Sequence, residues 1–238
     1  MTDAVPLRPG PGPGPGAAAP AGLATAAFPD PAEFGALLCS RICHDLISPV
    51  GAIGNGVELM QELAPNADGA ELQLIGRSAQ MASANLQFLR IAFGAAPPGD
   101  PIGMSAVQRT ARLWFEFQRP ALVWPDAVGE TTRGCARLLY NFLQIAASCL
   151  PRGGEVTVGV ARAPSGATGL EVAAAGPVVS LAEEAETWLA GAASATPAGP
   201  REAHFLAAAA HARAAGATIS LHRDEAGLRL GAEAAPGV

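Results

Sequence analysis

Apolar side chains recur at helical spacing in two consecutive segments between Pro31 and Gly94, and this pattern constrains the fold more than any other feature of the sequence. The first stripe consists of Leu38, Ile42, Leu46, Ile53, Val57 and Met60. The second consists of Leu72, Ile75, Ala79, Ala82, Leu86, Leu89 and Phe93. A break at 64–66 predicts an antiparallel helical hairpin, and Asp68 with Glu71 predicts a capping box at the start of its second helix. Because a two-helix hairpin cannot enclose its own core, we predict a homodimer in which two hairpins form a four-helix bundle.

The sequence after Asp100 mixes both periodicities and predicts an α+β arrangement. Helices are predicted near 105–118, 133–149, 181–190 and 201–215, and strands near 122–124, 155–161, 169–174, 218–222 and 228–232. Helices grouped with a mostly antiparallel sheet favour a two-layer α/β sandwich. We therefore predict a disordered Pro/Gly/Ala-rich tail (1–30), the helical-hairpin domain (31–96) and the α/β domain (101–235).

The charged residues exclude several classes of protein. All fifteen basic residues are arginines, so no lysine is present for a phosphate-binding loop or a Schiff base. The formal net charge of −6 argues against a nucleic-acid-binding surface. Neither a signal peptide nor a run of about 20 uninterrupted apolar residues is evident, so we expect a cytoplasmic protein without a membrane partner.

His44 lies on the polar side of the first predicted helix. It is about 200° from Ile42 at about 100° per residue, so its imidazole should face solvent. An exposed imidazole beside a carboxylate is a candidate nucleophile, because Asp45 can orient and hold its second nitrogen. Arg41, about one turn earlier, could offset the negative charge of a transferred group. The same side of the helix also carries Leu37, Ser40, Ser48, Gly51 and Asn55.

Simpler interpretations of these residues stay open. A surface histidine on a helix is commonly a solvated residue without a function. The glycines that follow it would allow either another protein's backbone or a neighbouring helix to approach closely; they are Gly51, Gly54 and Gly56. Cys39, Cys43 and His44 also suggest a metal site, but no second cluster supplies further ligands. We therefore favour two small thiols buried beside a core.

The segment Cys39–Pro49 resembles the phosphoacceptor box of two-component histidine kinases. That box has an acidic residue directly after the histidine and a proline five residues after it, as Asp45 and Pro49 are here. From Leu37 to Met60 the sequence is still more similar to the ChpT-type histidine phosphotransferases of alphaproteobacterial cell-cycle phosphorelays. The resemblance covers most of residues 33–232 and implies a kinase-like dimerisation bundle followed by a relic of an ATP-binding domain.

Three departures from the kinase pattern mark that relic. Residues 137–146 resemble the box in which two asparagines stand four apart; Asn141 matches the first, and Ile145 replaces the magnesium ligand. Residues 174–177 resemble the segment Asp-x-Gly-Pro, with Ala174 in place of the adenine-binding aspartate. The second glycine-rich phosphate box is not recognisable near 197–205. The resemblance therefore implies neither ATP binding nor any cofactor of the chain's own.

The resemblance implies transfer of phosphoryl groups through His44. They would come from the receiver aspartate of a hybrid histidine kinase and leave to the receivers of response regulators, CtrA-like and CpdR-like ones by the same resemblance. Asp45 would accept from Nδ1–H, and the partner receiver would bring its own magnesium. The expected docking residues are Leu37 and Ile47 as apolar anchors, with Arg41, Ser48, Gly51 and Asn55. The alternative is a regulator that docks on a histidine kinase or a receiver without accepting phosphate.

Overall fold

The computed structural model describes residues 28–63, 69–125, 127–162, 168–192, 194, 196–224 and 227–234. Residues 1–27 of the predicted tail and the predicted break at 64–66 lie outside these ranges. The first two helices are α1 (Pro31–Leu63) and α2 (Ala70–Phe93), and they pack along each other as the predicted hairpin. Asp30 begins α1, because its Oδ1 accepts hydrogen bonds from the backbone N–H groups of Ala32 and Glu33.

The second helix begins from Gly69 rather than from the predicted cap residue Asp68. Gly69 takes the N-cap position with φ of 89°. A glycine adopts this left-handed conformation without the steric penalty that a Cβ brings, so the backbone turns into the helix one residue later than predicted. Asp68 itself lies outside the described residues.

The three glycines that follow His44 in α1 have different surroundings. Gly56 is buried against α2, where an added Cβ would lie 2.6 Å from Ile75 Cγ1. Gly51 and Gly54 are exposed, and an added Cβ at either would meet nothing within 4 Å. Tight packing between helices therefore explains Gly56, whereas Gly51 and Gly54 leave an open surface on α1.

The rest of the chain forms the predicted α+β arrangement. Its helices are α3 (Met104–Phe115), α4 (Arg133–Ser148), α5 (Ala185–Leu189) and α6 (Ala203–Ala214), with a 3-10 turn at Pro200–Glu202. Its strands are β1 (Pro101–Gly103), β2 (Ala121–Val123), β3 (Glu130–Thr132), β4 (Glu155–Arg162), β5 (Thr168–Ala175), β6 (Thr218–Asp224) and β7 (Gly227–Ala234). A five-stranded sheet has the order β2-β4-β5-β7-β6, with β2 parallel to β4 and the other pairs antiparallel.

The predictions for this domain missed one pair of strands and made one helix too long. The short antiparallel pair β1–β3 was not predicted, since three residues per strand are too few to show a period-two pattern. The helix predicted at 181–190 is only the five-residue α5. Leu181 and Ala182 lie in irregular backbone, and Glu183 and Glu184 form a turn before it.

The hydrophobic core is continuous between the hairpin and the α/β domain. Phe88 of α2 is fully buried, and its ring centroid lies 4.2 Å from that of Trp114 and 4.3 Å from that of Tyr140. The Tyr140 hydroxyl donates to the Val107 carbonyl at 2.8 Å, and burial raises the pKa of this phenol. The three tryptophans of the chain are buried as well. This aromatic contact fixes α2, and with it α1, relative to the sheet.

Large apolar side chains remain exposed along the hairpin. They are Ile47, Val50, Val57, Leu59, Leu72, Leu74 and Leu86. Val57, Leu72 and Leu86 belong to the predicted stripes, so one chain does not cover those stripes by itself. The prediction that Cys39 and Cys43 are buried is wrong: both are exposed, on the side of α1 that also carries the exposed Val50 and Val57.

Within the part of the chain that the structure describes, one helix is long and apolar enough to span a membrane by length and composition alone. It is the segment Pro31–Glu62 of α1. In this structure the helix packs along α2 and against α6, and it carries His44 and an ion pair at its middle. We therefore describe it as one helix of the hairpin.

Candidate functional site

His44 projects from the middle of α1 with 54% of its side chain exposed. Its Nδ1 lies 3.1 Å from Asp45 Oδ1, so in the Nδ1–H tautomer the imidazole donates to this carboxylate. That tautomer leaves the lone pair on Nε2, the nitrogen farther from the backbone. The contact places an exposed, oriented nitrogen nucleophile on the surface of the hairpin.

Arg41 holds the other oxygen of the same carboxylate. Its Nε donates to Asp45 Oδ2 at 2.8 Å, one turn along α1. Its Nη1 donates to the backbone carbonyl of Arg201 at 2.7 Å and lies 3.5 Å from His204 Nδ1. We call these contacts the Arg41 bridge, because they join α1 to the start of α6. The orientation of His44 is thereby linked to the α/β domain through Asp45.

This arrangement changes the expectation for Arg41. The sequence placed Arg41 on the open side of α1, beside a transferred group. The side chain is instead only 15% exposed and is directed toward Asp45 and Arg201. Helical periodicity gives the direction of the Cβ, but a long side chain follows its hydrogen-bond partners. Arg41 therefore offers a docking protein little surface and influences His44 through Asp45.

His204 lies buried at the end of the Arg41 bridge. Burial, followed by the charge of Arg41, holds the pKa of this imidazole well below its ordinary value. The neutral ring can accept at Nδ1 from Arg41, while its Nε2 has no hydrogen-bond partner among the described residues. His204 is thus buried at the junction of α1 and α6.

The other predicted docking residues lie at different places around His44. Ile47 is 71% exposed, and Ser48, Gly51 and Asn55 are exposed as well. These four residues share the open side of α1 with the imidazole. Leu37 is half-buried, and it lines a groove between α1 and the α/β domain whose far wall includes Trp188 and Leu206.

Two polar contacts of the site were not predicted from the sequence. Asn85 of α2 donates through Nδ2 to the backbone carbonyl of Asp45 at 2.9 Å. Arg201, which falls in the range where the second phosphate box is not recognisable, supplies the carbonyl that accepts from Arg41. The sequence distinguishes Asn85 only as a polar residue next to the apolar seam of the second helix.

The residues compared with the kinase nucleotide boxes lie inside the core, whether they match that pattern or depart from it. Asn141 is fully buried, and its Nδ2 donates to the carbonyl oxygens of Arg137 at 2.9 Å and Ala92 at 3.4 Å. Ile145 and Ala174 are also fully buried. Among the described residues no group of three or more His, Cys, Asp or Glu side chains is placed to hold a metal ion.

Comparison with known proteins places these features in a family. The family model described as the histidine phosphotransferase C-terminal domain matches residues 104–227. The chain belongs to the histidine phosphotransferase family. Protein phosphotransferase ChpT of Brucella abortus (strain 2308) is 47% identical over 127 residues, which are 53% of this chain and 60% of that protein. The chain thus matches less than two thirds of the length of that relative.

A solved structure of a bacterial phosphotransferase extends the likeness to most of the fold of this family member. It covers 88% of this chain and 100% of its own, with 33% sequence identity and a TM-score of 0.77. The α+β fold class and the predicted family resemblance are therefore confirmed. The family model begins at residue 104, so it does not include His44, and the assignment of the site depends on the geometry described above.

Proposed function

We propose that this chain is the histidine phosphotransferase of a phosphorelay. His44 would accept a phosphoryl group from the receiver aspartate of a hybrid histidine kinase and pass it to the receiver aspartates of response regulators, CtrA-like and CpdR-like ones among them. The observation that carries the proposal is the exposed imidazole whose Nδ1 is held by Asp45. We also propose that it works in the cytoplasm, with no nucleic-acid or membrane partner.

In the proposed step, the Nε2 lone pair attacks the phosphorus of the aspartyl phosphate. The N–P bond forms as the bond between phosphorus and the aspartate oxygen breaks, and the released carboxylate stays on the receiver. Asp45 stabilises the positive charge that develops on the imidazole, because its carboxylate accepts from Nδ1–H. The second receiver reverses the same step. Such transfer depends mainly on positioning and charge compensation, and the receiver would supply the magnesium ion for it.

The open side of α1 supplies the proposed docking surface, defined as Ile47, Ser48, Gly51 and Asn55. Ile47 is the most exposed of the large apolar side chains next to His44, which suits an apolar anchor. Gly51 presents bare backbone, so a partner can approach α1 closely there. Leu37 would contact the partner from the groove beside α6.

Entry of phosphate from a receiver, rather than from ATP, agrees with the buried environment of the nucleotide-box residues. The Asn141 amide is already bonded to two backbone carbonyls, and the branched hydrocarbon of Ile145 cannot ligate a hard cation. We therefore propose that the chain uses no nucleotide or metal cofactor of its own.

We also propose that two copies pair through the hairpin. The exposed apolar side chains of α1 and α2, apart from Ile47 on the docking surface, would then be covered in a four-helix bundle. Light scattering at micromolar concentration should give the mass of a dimer. A monomer mass would contradict the pairing.

Transfer of radiolabel from a phosphorylated receiver tests the proposed function. We expect label on the wild type and on His222→Ala, which removes an exposed histidine on β6, but none on His44→Ala. Incubation with labelled ATP alone should give no label. If the receiver binds but no variant is labelled, the chain is instead a docking regulator of a histidine kinase or receiver.

A further inference from the structure

Pro49 interrupts the backbone hydrogen bonds of α1 directly beneath the His44–Asp45 pair. It lies inside the helix and is buried. Proline has no N–H, so the carbonyl four residues earlier loses its helical donor, and the ring pushes that carbonyl away from the helix axis. The carbonyl concerned belongs to Asp45, the residue whose side chain contacts His44.

Asn85 supplies the missing donor from the neighbouring helix. Its Nδ2 lies 2.9 Å from the Asp45 carbonyl oxygen, which is normal hydrogen-bond length. The donor reaches α1 from the α2 side, the side on which Pro49 is buried. An asparagine in this place thus satisfies the one carbonyl that the proline leaves without its helical partner.

We propose that Asn85 is a positioning residue for the phosphoacceptor. Asp45 is held at two points: its carbonyl by Asn85, and its carboxylate by the Arg41 bridge. The distance from Oδ1 to His44 Nδ1 depends on both, because a shift of the Asp45 backbone carries the carboxylate with it. Loss of the Asn85 bond therefore loosens the His44–Asp45 contact without touching the imidazole. The role in transfer depends on the proposed function, whereas the effect on the His44 ring does not.

The first test follows the His44 ring by NMR in protein labelled with ¹⁵N-histidine, in which only four histidines give signals. In the wild type we expect the Nδ1–H tautomer to predominate at high pH. In Asn85→Ala and in Asn85→Asp, which keeps the size but cannot donate, we expect a mixed population of tautomers. Gln87→Ala is the matched control, because Gln87 lies on the same helix and, among the described residues, donates only to Ser83 within it. Unchanged His44 signals in both Asn85 variants would overturn the proposal.

The second test uses Pro49 itself. In Pro49→Ala the restored N–H can donate to the Asp45 carbonyl, so Asn85 should become dispensable. We expect Asn85→Ala to slow phosphotransfer on the order of 10-fold in the wild-type background, the size of effect that a small misplacement produces. In the Pro49→Ala background, Asn85→Ala should slow phosphotransfer by less than about 3-fold. An equal loss in both backgrounds would show that Asn85 acts elsewhere and would overturn the proposal. If the wild type accepts no phosphate at all, the proposed function fails, and the NMR test still decides the role of Asn85.

Discussion

Replacing Arg41 with methionine removes the Arg41 bridge while keeping most of the apolar stem of the side chain. Two hydrogen bonds from a charged donor disappear, at 2.8 Å to Asp45 and at 2.7 Å to the Arg201 carbonyl. Hydrogen bonds to charged groups contribute roughly 1.5–3 kcal/mol each. Asp45 is 20% exposed, so water recovers part of the loss there. We expect the free energy of unfolding to fall by about 2–3 kcal/mol in total.

Thermal unfolding followed by circular dichroism or calorimetry measures this loss. For a chain of this size the change corresponds to a Tm lower by roughly 4–12 °C. The matched control is Arg229→Met, because Arg229 pairs with Glu171 at 3.9 Å and both side chains are more than half exposed. Exposed pairs of this kind contribute little, so the control should change the free energy of unfolding by less than about 0.5 kcal/mol.

Removal of the Arg41 bridge should also slow phosphotransfer through His44. With the Arg41 bridge removed, the Asp45 carboxylate keeps its contact with His44 but can rotate away from it, so phosphotransfer should slow. Arg41→Lys should be intermediate, because an ammonium group cannot bond both the carboxylate and the Arg201 carbonyl as the guanidinium fork does. If Arg41→Met unfolds at the same temperature as the wild type, the inference that this residue fixes α1 to the α/β domain is refuted.

Two further predictions concern stability. Gly56→Ala should lower the free energy of unfolding by about 1–3 kcal/mol, because its Cβ would lie 2.6 Å from Ile75 Cγ1. Gly54→Ala has open space around it and should raise the free energy of unfolding by up to about 1 kcal/mol. Urea unfolding that gives the two variants equal stability would contradict this prediction. Burial lowers the pKa of His211 from 6.5 to about 4, with Arg137 as a smaller cause, so the folded state disfavours the proton that the unfolded state accepts. The stabilisation is complete above pH 6.5 and is lost as the pH falls through 4, with a loss of about 2 kcal/mol already at pH 5. His211→Gln should flatten the pH dependence of unfolding over this window, and an unchanged slope would contradict the assignment.

Hydrophobic periodicity was sufficient to predict the helices and strands that bury one face over many residues. The two hairpin helices, α4 and the strands β4 to β7 lie close to their predicted positions. The exposure of His44 also followed from its angle to Ile42 on the helix. These features depend on local sequence alone, because a buried stripe must recur with the period of its own element.

Contacts between distant parts of the chain were not predictable in the same way. Arg41 and Arg201 are 160 residues apart, and nothing in the pattern around either residue indicates that a side chain of one reaches the carbonyl of the other. The bond from Asn85 to the Asp45 carbonyl is equally hidden, although Pro49 predicts that this carbonyl needs a donor from outside the helix. A proline inside a helix therefore indicates that a backbone carbonyl needs a hydrogen-bond donor from outside the helix, but it does not indicate which residue supplies that donor.

The nitrogen that carries the phosphate tests the central claim most directly. The wild type would be incubated with a phosphorylated receiver, and the phosphohistidine formed would be identified by ³¹P and ¹⁵N NMR. Because Asp45 holds Nδ1, the account predicts a single phosphohistidine, at His44 and on Nε2. Phosphate on Nδ1, on another histidine, or on no histidine while the receiver is bound would contradict it.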